Sequence, residues 1–233
     1  MAADDMARAF ASISGVLVRT HDTTGTLSLL LDESITALAA DACGILVNGA
    51  HGRLELLSAS SHRAGELELL ESQIRDGPCV EAWSTATAVS AASIQEADER
   101  WPGFGQAMAA RGYATVHACP LRWGNEVLGA MNVFRAASAP FATDDHAVAQ
   151  AFADLATLVV VTADRPTLEA VTVRIADALN GRVVVEQAKG VLAHRLGLEP
   201  DDAYQALRDQ ARTKGQTLSD MAREVLLEAQ RRP

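Results

Sequence analysis

The stretch Arg182 to Leu196, RVVVEQAKGVLAHRL, decides how the C-terminal part of this chain folds. At about 100° per residue it places Val184, Ala188, Val191, Leu192 and Leu196 on one side of a helix, a face that demands a core. The other side carries Arg182, Glu186, Lys189 and Ala193, a narrow stripe of charge and small size. Such a stripe reads either as a solvated face or as a contact surface. Gly190, beside Lys189, costs about 1 kcal/mol relative to Ala inside a helix, so something must approach closely there, a neighbouring helix or a ligand.

Toward the C-terminus, Pro200 stands where the first residue of a helix would be, and Ala203, Leu207 and Ala211 recur at helical spacing with Tyr204 at their flank. Arg208 and Arg212 share an edge of that helix at i, i+4. Gly215 ends it, Thr217 with Asp220 resembles a capping box, and Leu218, Met221, Ala222 and Val225 give a final helix its buried side. Toward the N-terminus, Leu168, Thr172, Ile175 and Leu179 fall close to heptad spacing. They predict a helical linker and a homodimer seam, the alternative being a helix packed on its own domain. Asn180-Gly181 marks a point where this helix can be interrupted.

Before Asp164-Arg165-Pro166 the periodicity is mixed. Two amphipathic helices are expected around Phe10, Ile13 and Leu17 and around Leu27, Leu30, Leu31, Ile35 and Leu38. A hairpin follows from Gly44–Val47 to Leu54–Leu57 across the Gly49–Gly52 turn. Helices are expected at Glu66–Ile74 and Phe104–Arg111, strands at Tyr113–Leu121 and Val127–Phe134, and a long helix from Thr143 through Phe152 and Val159. This order predicts an α+β layer with helices covering an antiparallel sheet over residues 1–163, then an all-α three-helix unit over residues 164–233.

Charge divides at the same place. Residues 1–163 hold 9 Arg against 19 acidic residues, whereas residues 164–233 balance 9 Arg and 2 Lys against 11. The whole net charge of −10 therefore sits in the first unit, and the second is free to meet a polyanion. No apolar run has the roughly 18 residues of a membrane span, and Asp4 and Asp5 stand where a secretory signal would be basic, so a cytoplasmic chain with no membrane partner is expected. Cys43, Cys79 and Cys119 lack metal-ligand spacing, and neither a metal site nor a disulfide framework is expected. Phosphate-binding glycine loops, HExxH and GxSxG are absent from the sequence, so no catalytic role is expected.

The span from about Leu179 to Leu226 resembles the ANTAR domain through Arg182, Gln187-Ala188-Lys189-Gly190, Ala203, Leu207-Arg208 and Ala222. It departs from the usual pattern at Ala193, often a methionine, and at Glu199, often a Ser or Thr cap. Residues 8–160 resemble GAF domains of the kind fused to ANTAR in actinobacterial-type antitermination regulators. The carriers are Ala40-Asp41-Ala42-Cys43-Gly44, Asp76-Gly77-Pro78-Cys79, Trp101-Pro102, Pro120-Leu121 with Gly124, and Gly129-Ala130-Met131-Asn132. The cyclic-nucleotide pattern of some GAF domains is missing.

The resemblance implies a signal-responsive RNA-binding regulator of transcription termination, acting on dual hairpins in leader transcripts. On it, Arg182, Gln187, Lys189, Gly190, Arg208, Arg212 and Lys214 are the expected RNA contacts, with Tyr204 as a stacking residue if it is exposed. Cys79, Trp101, Phe104, His117 and Cys119 fall in segments that usually wall a GAF pocket, so a small-molecule signal is expected there, its identity open. Structural burial is the competing role for the cysteines. The competing function is a ligand-sensing, protein-docking module without direct RNA contact.

Overall fold

The computed structural model describes residues 3–19, 22–161 and 168–231. Five strands, β1 (Ala42–Asn48), β2 (Leu54–Ala59), β3 (Val89–Ala91), β4 (Thr115–Trp123) and β5 (Glu126–Arg135), form one sheet in the order β2-β1-β5-β4-β3 with every neighbour antiparallel. Side chains alternate across each strand, so the sheet has two apolar faces and needs a cover on both. Ile45, Val47, Met131 and Val133 face α1 (Ala3–Arg19), α2 (Thr23–Leu38) and α7 (Thr143–Val161). Leu46, Val116, Ala130 and Phe134 face α3 (His62–Ile74), α4 (Pro78–Thr85), α5 (Ile94–Arg100) and α6 (Phe104–Ala110). Gly129 lies opposite Val47 where β5 pairs with β1, and a Cβ there would run into the Leu46 carbonyl, so only glycine lets the two backbones meet at that point.

The α+β reading of the first unit thus holds, with β3, α4 and α5 added to the expected elements. The second unit consists of α8 (Leu168–Leu196), α9 (Pro200–Lys214) and α10 (Leu218–Arg231). α8 runs 29 residues without a break at Asn180-Gly181. Its core joins Val185, Ala188 and Leu192 of α8 to Ala203, Leu207 and Ala211 of α9 and to Leu218, Met221, Ala222 and Val225 of α10. Pro200 opens α9, and Glu199 makes no side-chain capping bond. The Asp220 amide donates to Thr217 Oγ1 at 3.1 Å, the capping contact expected from the spacing.

Two expectations about α8 need correction. Leu196 is 52% exposed, Val184 and Val191 are only half-buried, and Val185 fills the core position instead, while Lys189 is 8% exposed rather than solvated. The physical reason is that α8 packs on α9 and α10 and also on β2, α7 and α2 of the first unit, so its buried arc is wider than one stripe. In the expected dimer seam, Ile175 is buried and Leu179 half-buried in the chain's own first core, beside Val171 and Ala178. Thr172 is exposed, and the Leu168 side chain lies outside the described residues. Within this arrangement the seam packs on its own domain, since the apolar face of α7 already meets it.

Candidate functional site

The residues expected to touch RNA divide between two sides of the helical unit. Arg182, Lys189, Tyr204 and Arg208 face the first domain. Arg208 pairs with Asp32 of α2, and its guanidinium lies over the Tyr204 ring at 5.9 Å from the centroid. The Tyr204 hydroxyl meets Ser28 Oγ at 2.9 Å, and burial raises the phenol above its ordinary pKa. Lys189 Nζ binds Glu186 Oε2 at 2.6 Å. Burial pulls the Arg182 guanidinium below its usual value, and Glu186 opposes that shift. Arg182, Glu186, Lys189 and Tyr204 line one wall of a cavity of about 80 Å³, whose other wall is β2 and the start of α3, with Ser58, His62 and Glu66.

The two domains also cap each other's helices. The first amide of α3, on His62, donates to Asp201 Oδ1 at 2.6 Å, and the first amide of α10, on Leu218, donates to Asp22 Oδ2 at 3.0 Å. Helix-terminal amides without intrahelical acceptors are thereby satisfied across the boundary. The remaining expected contacts lie elsewhere. Gln187 and Gly190 are exposed and line an open groove with Val191, His194, Leu226 and Ala229. Arg212 is 78% exposed beside Asp209, and Lys214 binds Glu224 at 2.6 Å. Nothing lies within 4 Å of a Cβ added at Gly190, so no close approach explains that glycine in this arrangement.

The five expected sensor-pocket residues do not wall one cavity. Trp101, Phe104 and Cys79 are buried on the α3–α6 side of the sheet, where Trp101 and Phe104 meet edge to face with centroids 6.0 Å apart. Cys119 belongs to the opposite core, and His117, two residues away on the same strand, shares its face. The sheet itself is the reason: His117 and Cys119, two residues apart on β4, point to one face, and the helices that carry Cys79, Trp101 and Phe104 cover the other. On its own side His117 meets Ser90 Oγ through Nδ1 at 2.6 Å, Cys119 Sγ through Nε2 at 3.2 Å and the His146 ring at 4.3 Å. Burial, then the neighbouring His146, lowers its pKa to about 4, so it is neutral near pH 7. Burial raises all three thiols, Cys119 to about 12, which makes them poor nucleophiles.

What the sequence reading missed is a polar knot under the α3–α6 side. Glu68 and Glu71 of α3, Cys79 of α4 and Asn132 of β5 are fully buried. Asn132 Nδ2 donates to Glu68 Oε1 at 3.0 Å and to Glu71 Oε2 at 2.9 Å, and the Val80 amide donates to Glu71 Oε1 at 3.0 Å. Gly44 and Gly77 make the space, since a Cβ at either would strike Glu68 or Glu71. Burial pushes Glu71 up to about 8 and Glu68 well above the carboxylate range, the latter raised further by Glu71. The sequence signal was available: Ala64, Leu67, Glu68 and Glu71 fall on one helical face, so two acids continue an apolar stripe.

Comparison with known proteins agrees with this architecture. A family model described as GAF domain matches residues 20–161, and one described as ANTAR domain matches residues 174–226. No curated protein matches the chain. Among solved structures, the GAF domain of a phosphoenolpyruvate-protein phosphotransferase from Coxiella burnetii is similar at 17% identity and a TM-score of 0.54, covering 69% of this chain and 95% of that one. The GAF domain of the corresponding Acinetobacter protein is similar at 14% identity and a TM-score of 0.52, covering 70% of this chain and 100% of that one. At these identities the likeness establishes the fold alone. Among the described residues no helix is long and apolar enough to cross a membrane.

Proposed function

This chain belongs to the GAF-ANTAR regulators, a sensor domain followed by an RNA-binding antitermination module, and we propose that it binds paired hairpins in leader transcripts and thereby prevents terminator formation. In the arrangement described above the RNA-binding face is closed. The observation that carries this reading is the engagement of Arg208 and Tyr204 by Asp32 and Ser28 of the sensor, with Lys189 and Arg182 covered beside them. Arg208 is held by a carboxylate, so the sensor occupies a donor that a phosphate would otherwise accept from. A signal at the sensor acts by its differential affinity for the closed and open arrangements. Two hairpins on one leader call for two copies of the chain, one helical domain on each.

The test is to crosslink the chain to RNA in cells and sequence what is captured, then titrate the recovered leader against purified protein by fluorescence anisotropy. Hairpins upstream of terminators are expected. Affinity should fall with salt in proportion to the phosphates neutralised, a log–log slope of about −0.7 to −0.9 for each. Capture of no RNA, or salt-independent binding, would favour the protein-docking alternative.

A further inference from the structure

We propose that the sensor domain binds a divalent transition-metal ion at Glu68, Glu71 and Cys79, with Asn132 as a fourth donor. One ligand atom from each of Glu68, Glu71 and Cys79 lies within 4.8 Å of the others, and all three residues are buried. The cluster alone would be explained by carboxyl groups that keep their protons. Two buried oxygens are left over by that explanation. Glu68 Oε2 and Asn132 Oδ1 have no hydrogen-bond partner, although the Asn132 amide sits between both carboxylates. Buried polar atoms in folded proteins are nearly always paired, and Glu68 Oε2 offers an unshared oxygen inside the knot that a cation would satisfy.

The donor set selects the ion. Two carboxylates and an amide oxygen would suit calcium or magnesium, but a thiolate does not. A thiolate with oxygen donors suits zinc or ferrous iron, at about 2.0–2.2 Å to oxygen and about 2.3 Å to sulfur. The donors come from three elements: α3 carries both glutamates, α4 the thiol and β5 the amide. A half-turn of the Asn132 amide presents Oδ1 where Nδ2 now stands. The ion replaces the protons of the two carboxyl groups and the thiol, which leave to solvent, so binding tightens as pH rises. Metal binding stands apart from the RNA function, and its test reads no RNA.

The experiment uses the full chain, stripped with a chelator and titrated to equilibrium with Co²⁺ alone. Expected are one Co²⁺ per chain, a near-ultraviolet thiolate-to-cobalt absorption band, displacement of that band by Zn²⁺ and a higher melting temperature with Zn²⁺ bound. Cys79→Ser should remove the band, while Cys43→Ser and Cys119→Ser, which alter buried thiols outside the knot, should retain it. Glu68→Gln should weaken Co²⁺ binding by tenfold or more. If a variant loses its fold, the wild-type chain still decides: Zn²⁺ should protect Cys79, and not Cys43, from alkylation during native-state opening. Absence of the band in the folded wild-type chain at saturating Co²⁺, its persistence in Cys79→Ser, or unprotected Cys79 would overturn the proposal and leave the knot as a protonated pair.

Discussion

Replacing Asp32 with Ala tests whether the sensor restrains the helical domain. Asp32 lies on α2 of the sensor and is not among the residues assigned to RNA, so its loss cannot remove a nucleic-acid contact. It holds the Arg208 guanidinium in a pair whose side chains are 20% and 35% exposed. A hydrogen-bonded charge of this kind contributes about 1.5–3 kcal/mol when well buried, and partial exposure brings that to the lower end, about 1.5–2 kcal/mol. The open arrangement gains nothing from Asp32, since Arg208 is then hydrated, so the whole amount falls on the closed side. At about 1.4 kcal/mol per factor of ten, the closed-to-open ratio drops roughly 10- to 30-fold. As long as the closed form predominates, apparent RNA affinity rises by the same factor, because it scales with the competent fraction. The assay is fluorescence anisotropy with a dual-hairpin leader at fixed salt, with circular dichroism as a check on the fold. Unchanged or weaker affinity in a fully folded Asp32→Ala chain would refute the idea that this ion pair closes the site.

Three further outcomes follow from the packing. Leu207→Ala, at the fully buried centre of the α8–α10 core, should cost about 2–5 kcal/mol and melt the helical domain first, read by urea titration followed through far-ultraviolet circular dichroism. Gly129→Ala should destabilise the sensor by about 1–3 kcal/mol or more, since the clash is with strand backbone that cannot yield, and a melting temperature equal to wild type would contradict the close β1–β5 approach. His117 has a folded pKa of about 4 against an unfolded value near 6.5, so the unfolded chain binds the extra proton first; its contribution is complete above about pH 6.5 and is lost as pH falls toward 4. Denaturant midpoints across that window should show the slope in the wild type and a shallower one in His117→Gln.

Where one neighbour decides a residue's environment, the sequence was readable. Ala203, Leu207, Ala211, Met221 and Val225 bury as their spacing demands, and the β1–β2 hairpin and β4–β5 pair form where alternation and turn residues place them. Where two surfaces compete, it was not. Lys189 lies opposite one core yet under a second surface, β2 and α3, that no helical wheel contains. For Ile175 and Leu179, heptad spacing says that a face is apolar and not whose apolar face covers it; here the chain's own first core does. β3 has three residues, too short for a period to register. Glu68 and Glu71 were missed because acids on a helix are ordinarily the wet side, and what holds them dry is Asn132, more than 60 residues away. The pocket set split because His117 and Cys119 belong to one face of the sheet and Trp101 and Phe104 to the other.

The claim that RNA and the sensor compete for one face of the helical domain is tested most directly at two backbone amides. His62 and Leu218 donate across the domain boundary, to Asp201 and Asp22, and as first amides of their helices they have no intrahelical acceptor to fall back on. Their hydrogen-exchange rates, resolved by NMR in the full chain with and without a saturating dual-hairpin leader RNA, report the boundary itself. The account predicts slow exchange at both amides in the free protein and fast exchange at both once RNA is bound. Persistent protection of both amides in the RNA-bound chain would contradict it, because the leader would then be held without opening the face that Arg208, Tyr204 and Lys189 share with the sensor.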